Sequence, residues 1–186
     1  MSESDVSRAL HGVWRIALLD GKAEGFFDNT PAGASRSFVM ALVVLPLFAL
    51  QSYLDFGAAQ RGGPWEYAVV LAVSYVILWT AWPVVMASLA PVLGCSGRYC
   101  LYIAASNWFV LAEFVLLFPL TVLEGLSALS ATALLEAQQT IQIVLMLYEW
   151  FVAKNTLAVS AATAATLVLI HFLLTVLLAQ VVHSMI

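Results

Sequence analysis

The sequence predicts an all-α polytopic membrane protein with about five transmembrane helices and an amphipathic N-terminal segment. Of its 186 residues, 63% are hydrophobic and only 10% are charged. Soluble domains are nearer half apolar and a quarter charged, so this chain has too little charge to cover a surface that faces water. Its apolar runs are continuous and long enough for helices that cross a bilayer. We therefore expect the lipid bilayer to cover most of its surface.

Five apolar runs follow a polar segment at residues 1–35. They predict one membrane domain, residues 36–186, with spans at about 37–54, 65–93, 99–123, 131–153 and 157–182. The connections are short, so consecutive helices are expected to run antiparallel. The fourth run is the least apolar, because its first half contains five polar residues: Glu136, Gln138, Gln139, Thr140 and Gln142.

The Lys and Arg residues predict the orientation of the chain, because cytoplasmic loops carry an excess of them. Four of the seven precede the first span, Arg98 joins the second and third, and Lys154 joins the fourth and fifth. Arg61 alone falls on the opposite side. This distribution predicts a bacterial inner-membrane protein with a cytoplasmic N-terminus and a periplasmic C-terminus. No signal peptide is expected, because the first apolar run starts only near Ser37.

The N-terminal segment contains apolar residues at helical spacing, among them Val6, Leu10, Trp14 and Leu18. These residues would share one face of a helix. That face could lie on the membrane surface with Trp14 at the level of the lipid headgroups. A helix that packs on the protein's own cytosolic loops would give the same pattern. The nearby acids Asp20, Glu24 and Asp28 are interpreted as a solvated loop, and Thr30-Pro31 as the start of a helix.

Several classes of function find no support in the sequence. The net charge of −4 is small and dispersed, which does not favour nucleic-acid binding. His171 and His183 lie on one predicted helix, so they could not face each other across a haem. Cys95 and Cys100 form no zinc motif and are expected to be reduced thiols. We predict no catalytic residue, no metal site and no cofactor.

Ionisable and amide side chains within the spans are the candidate functional groups. Glu113, Gln142 and His171 fall near the centres of three consecutive spans, and Glu149 lies about two turns from Gln142 towards the cytoplasm. A charged group at this depth costs about 2.5–3.5 kcal/mol on insertion scales, so it requires a partner or a function. The polar groups could form a proton or ion path, or they could be interhelical hydrogen bonds that hold the bundle together. We expect at least two of the first three to face the interior and Glu113 to pair with another helix.

The chain also resembles the Ypt/Rab-interacting (Yip) membrane proteins, especially their bacterial relatives. The resemblance rests on the segment VWRIALLDGKAEGFFDNTPAGASRSF before the first span and on Pro46, Pro83 and Pro119. It implies a cytosolic amphipathic segment, five spans, an external C-terminus and a non-enzymatic factor that works through protein contacts. No functional residue is carried over from it.

Two functional hypotheses follow. The first is a non-catalytic scaffold, assembly factor or accessory subunit that binds other membrane proteins or a second copy of itself. The second is a small proton- or ion-coupled transporter or channel that uses Glu113, Gln142 and His171. An intramembrane enzyme ranks last, because the sequence contains no nucleophile or metal motif.

Overall fold

The protein is all-α, as predicted, in a computed structural model that describes residues 3–59 and 63–185. Two short 3₁₀ helices, Gly21–Phe26 and Ser96–Arg98, connect longer elements. Seven α-helices cover most of the described residues: α1 Glu3–Ala17, α2 Pro31–Ser37, α3 Val39–Ala59, α4 Pro64–Val92, α5 Tyr99–Gly125, α6 Ala131–Leu157 and α7 Ala161–Met185.

Four helical stretches are long and apolar enough to cross a membrane: Pro31–Tyr53, Trp65–Val92, Ser96–Gly125 and Ala161–Met185. The chain is therefore a polytopic helical membrane protein in contact with lipid. Four of the five predicted spans correspond to these stretches. The fifth, α6, has 27 residues, but it does not reach the same apolarity, because its polar side chains lower its mean hydropathy. The N-terminal helix α1 lies outside the spans, as predicted.

The first span is preceded by a capped helix that starts at the predicted position. The Thr30 hydroxyl accepts a hydrogen bond from the Gly33 amide at 3.0 Å, and Pro31 occupies the first turn. Proline suits that place because its missing N–H would have no partner there. The helix is interrupted at Phe38, so α2 and α3 are separate elements rather than one continuous helix.

The five long helices form a ring. α3 contacts α4 and α5, α6 lies between α5 and α7, and α7 returns to contact α4. The ring order is therefore α3, α5, α6, α7 and α4. The ring closes between helices that are distant in sequence, and its interior is lined by all five.

The most buried part of the protein lies at the end of the ring that carries Arg36, Arg98 and Lys154, which we call the basic end. There α1, the first 3₁₀ helix and α2 form an N-terminal layer against α5 and α6. The stretch 101–109 of α5 is almost wholly buried beneath this layer. Towards the other end, large apolar side chains such as Val115 and Leu177 are exposed, as expected for a surface that lipid covers.

The apolar residues of α1 divide between two faces. Ala9, Gly12, Val13 and Ile16 are buried against the rest of the protein, and Val6 packs beside them. A second stripe points away: three large apolar side chains of this stripe remain exposed, namely Leu10 (41%), Trp14 (61%) and Leu18 (60%). The helix thus packs on the protein's own elements and still presents an apolar stripe outwards.

The three acids that we interpreted as a solvated loop are instead paired with arginines. Their partners hold the N-terminal layer together or tie it to the ring. The pairs are Asp20 with Arg15, Asp28 with Arg36, and Glu24 with Arg98. Sequence alone could not reveal the Glu24–Arg98 pair, because these residues are far apart in the chain, whereas the other two pairs are local. The pKa of the Asp20 carboxyl is lowered, mainly because it accepts a hydrogen bond from the Lys22 backbone amide. The nearby Arg15 guanidinium lowers this pKa further.

Asn29 and Arg98 connect the N-terminal layer to the turns at the basic end. The Asn29 side chain accepts a hydrogen bond from the Leu101 amide and donates one to the Gly97 carbonyl, both at 2.9 Å. It therefore caps the start of α5 from another part of the chain, since the first amides of a helix have no partner within it. Arg98 also donates to the Thr156 carbonyl at 2.6 Å, which holds the end of α6.

Candidate functional site

A cavity of about 470 Å³ lies inside the ring of long helices. All five of these helices contribute to its wall, which is mainly apolar and aromatic. The ionisable and amide side chains that the sequence singled out within the spans are all part of this wall: Glu113 from α5, Gln142 and Glu149 from α6, and His171 from α7. The cavity is therefore the candidate functional site.

One layer of the cavity joins four helices through aromatic and polar contacts. The buried Trp82 indole N–H of α4 donates a hydrogen bond to the Tyr102 hydroxyl of α5 at 2.7 Å. The His171 ring of α7 stacks on Trp82, with 4.6 Å between ring centroids and 26° between planes. Nδ1 of His171 lies 3.4 Å from Oε2 of Glu149 on α6. We call Tyr102, Trp82, His171 and Glu149 the tie layer.

The position of His171 in the tie layer follows from its distance along the helix. Glu149 and His171 lie about eight to ten residues from the basic ends of α6 and α7, which is roughly 12–15 Å at the helical rise. Gln142 is nearly two further turns along α6, so it is too far out to be the partner of His171. The sequence placed Gln142 and His171 at similar depth, whereas the structure pairs His171 with Glu149.

Glu113 lies in the next layer outwards. It and Gln142 are about 14 to 15 residues from the basic ends of α5 and α6, or roughly 21–23 Å. Both line the cavity with His171, so all three predicted residues face the interior. Within residues 3–59 and 63–185, however, no hydrogen bond or ion pair holds the Glu113 carboxyl. The expected partner on another helix is therefore absent from the described part of the chain.

Sequence reasoning missed most of the cavity wall, and three of the missed residues make polar contacts between helices. Trp82 and Tyr102 belong to the tie layer, and Asn107 donates a hydrogen bond to the Ser37 hydroxyl at 2.9 Å. Asn107 could have been predicted, because an amide side chain stands out within an apolar run. Trp82 and Tyr102 resemble ordinary aromatic residues of a span, so their pairing could not be read from sequence.

The cysteines lie away from this layer, Cys95 in the turn between α4 and α5 and Cys100 in the first turn of α5. Both are free thiols, and Cys95 is buried. Burial raises the pKa of the Cys95 thiol, so this sulfur stays protonated and weakly nucleophilic at neutral pH. Among the described residues, no cluster of three or more His, Cys, Asp or Glu side chains could hold a metal ion.

Comparisons of the chain with protein-family models, with curated proteins and with solved structures found no match. The function must therefore be argued from the cavity itself.

The tie layer predicts that His171 contributes to stability. His171→Leu removes both the stack on Trp82 and the contact with Glu149. We expect the free energy of unfolding in detergent to fall by about 1–2 kcal/mol, the usual range for an aromatic pair plus an interhelical hydrogen bond. His171→Phe should recover the stacking part. His183→Leu is the matched control, because His183 is exposed on the same helix. Equal stability of the His171→Leu and His183→Leu proteins would contradict a structural role of the layer.

Proposed function

We propose that the protein is a small proton- or cation-coupled membrane transporter whose binding site is the cavity and whose central residue is Glu113. The observation that carries this proposal is the Glu113 carboxyl, which makes no hydrogen bond or ion pair with the described residues and lies in a cavity lined by all five long helices. An ionisable side chain inside a membrane is costly and usually marks an ion or proton pathway.

The tie layer strengthens the proposal by accounting for the other ionisable groups. His171 and Glu149 contact each other and hold helices together, which is the structural role that interhelical polar contacts commonly have. Glu113 makes no such contact with any residue that the structure describes. A residue that only stabilised the bundle would be paired, whereas a site that receives a ligand or proton must keep a group available for it.

The proposal includes α6 as a fifth crossing. α5 and α7 both begin at the basic end, and α6 connects the far end of α5 with the start of α7. If α5 and α7 cross the bilayer, α6 must cross it in return. Its lower apolarity is compatible with this path, because Gln142 and Glu149 line the cavity rather than face lipid.

Five crossings with the basic end in the cytoplasm place the N-terminus inside and the C-terminus in the periplasm. Arg98 and Lys154 lie at the basic end with the N-terminal layer, and the positive-inside rule favours the cytoplasm for this end. Arg61, the single cation assigned to the opposite side, lies outside the described residues.

The orientation is tested with reporters fused after Ile186. A periplasmic reporter should be active and a cytoplasmic one inactive. Fusions placed after Lys154 should give the reverse pattern, because that connection belongs to the basic end. A periplasmic signal after Lys154 together with a cytoplasmic signal after Ile186 would remove α6 from the set of spans.

Transport is tested with Glu113→Gln in liposomes that contain a pH-sensitive dye. The purified protein should speed the decay of an imposed pH gradient. Glu113→Gln keeps the shape of the side chain but removes the proton that it exchanges, so the rate should fall to that of protein-free liposomes while thermal stability is unchanged. Glu136→Gln is the matched control, because this exposed glutamate of α6 does not line the cavity. Equal rates for the Glu113→Gln and wild-type proteins would refute the transport role of Glu113.

A second candidate function is a scaffold that binds other membrane proteins or a second copy, as the resemblance to the Yip proteins would imply. The exposed stripe Leu10, Trp14 and Leu18 on α1 favours it. Such an apolar surface beside the membrane suits either the bilayer or a partner protein.

Limited proteolysis separates these uses of α1. Trp14→Glu should increase cleavage before Arg36 without unfolding the ring, because it places a charge in the apolar stripe. Ala32→Glu, at an exposed position of α2, is the control. Protection of the wild-type segment in nanodiscs of pure lipid would assign the stripe to the bilayer, and protection only in native membranes would assign it to a protein partner. Equal and rapid cleavage of all proteins in both settings would show that the stripe is not docked.

A further inference from the structure

The charges in the cavity wall indicate which class of ligand the cavity would bind. This inference rests on the proposed function. The lining residues in the described part of the chain include the carboxyls of Glu113 and Glu149 and the imidazole of His171, but neither Lys nor Arg. We propose that the cavity binds a small hydrophobic organic cation, with the cationic centre at Glu113 and the apolar groups against the aromatic wall of α3 and α4.

The aromatic wall supplies the second half of this site. Phe48 of α3 and Tyr75 of α4 are in contact, with 4.7 Å between their ring centroids. The centroids of Tyr75 and Trp79 are 6.3 Å apart. All three line the cavity. Aromatic faces attract cations through their quadrupole, and this attraction is larger where water is excluded. In the ring order, α3 and α4 are neighbours, so these rings form one continuous side of the cavity.

The tie layer determines which groups remain free for a ligand. The Trp82 ring is stacked on His171, and the Glu149 carboxyl contacts the same imidazole. Asn107 is bonded to Ser37. Glu113 is therefore the acid that a ligand can reach without breaking an interhelical contact.

A proline in α4 frees one backbone acceptor, between two residues that line the cavity. Pro83 has no N–H, so the carbonyl of Trp79 lacks its usual helical donor. Both residues line the cavity. A carbonyl oxygen and a carboxyl suit a cation or a hydrogen-bond donor, whereas an anion would be repelled by the two acids.

The volume also fits a small organic molecule. The cavity of about 470 Å³ falls within the range of roughly 300–1,000 Å³ that is usual for sites of small molecules. A hydrated inorganic ion would leave the aromatic wall without a role, and a neutral lipid chain would leave the carboxyl without one. A hydrophobic cation uses both.

Cation and proton should compete at Glu113, because the carboxyl attracts a cation only when it is ionised. The other titratable groups that line the cavity are Glu149 from α6, His171 from α7, Tyr75 from α4 and Tyr102 from α5, while α3 contributes none among its lining residues. Binding should therefore become tighter as pH rises and should release a proton. This competition would couple the ligand to the proton flux of the proposed transporter.

The test uses tetraphenylphosphonium and its anionic counterpart of matched shape, tetraphenylborate, with the full protein in nanodiscs. We expect tetraphenylphosphonium to quench tryptophan fluorescence saturably, with an affinity that increases as the pH rises. Tetraphenylborate should show no saturable quenching. Glu113→Gln should weaken cation binding roughly tenfold or more and remove its pH dependence, because a charge partner is lost. Glu136→Gln should bind like the wild type.

The outcomes separate this inference from the proposed function. Equal saturable binding of both probes to the wild-type protein would overturn the preference for cations while leaving the cavity as a ligand site. Absence of saturable cation binding, with proton flux that still requires Glu113, would overturn the organic-cation proposal alone. Failure of the flux assay with intact cation binding would instead overturn transport. The comparison of the two probes on the wild-type protein does not depend on the folding of any variant.

Discussion

The stack of the His171 imidazole on the Trp82 indole closes the ring of helices. It joins the last long helix to the second, and the contacts to Tyr102 and Glu149 extend it to two more. Apolar side chains alone cannot determine which helices are neighbours. Lipid tails are equally apolar, so the hydrophobic effect contributes little to helix association inside the membrane. Polar and aromatic contacts of defined geometry therefore decide which helices are neighbours. The cavity exists because this closure places five helices around a common interior.

The basic end of the ring obeys a different constraint, because water and ordinary burial act there. The N-terminal layer covers the first turns of α5, and Asn29 supplies the cap that this helix lacks in its own sequence. Arg98 then connects Glu24 with the end of α6. The start of α5 and the end of α6 are thereby held together, which fixes the depth of Tyr102 and Glu113 on α5 relative to Glu149 on α6.

Periodicity and apolar run length were sufficient to predict the class of the protein and four of its spans, because each is a local property. They also identified Glu113, Gln142, Glu149 and His171, since polar residues are conspicuous in apolar runs. What sequence could not provide was pairing. His171 was placed level with Gln142, yet it contacts Glu149, because α6 ends and α7 begins about one turn later in the chain than predicted. Among the N-terminal acids, Glu24 looked solvated because its arginine partner, Arg98, lies far along the chain.

The two cavity acids differ in their contacts because they lie at different depths in the ring. Glu149 lies where four helices converge, so an imidazole is within reach and the carboxyl becomes part of the packing. Glu113 lies farther out, beyond the tie layer, where the cavity separates it from the aromatic wall of α3 and α4. Glu149, two turns farther inwards than Gln142 on α6, has the imidazole as its partner and is therefore not available to a ligand. The function that we propose therefore depends on depth as much as on residue type. The tie layer closes the ring, and Glu113 lies too far outwards to join its contacts.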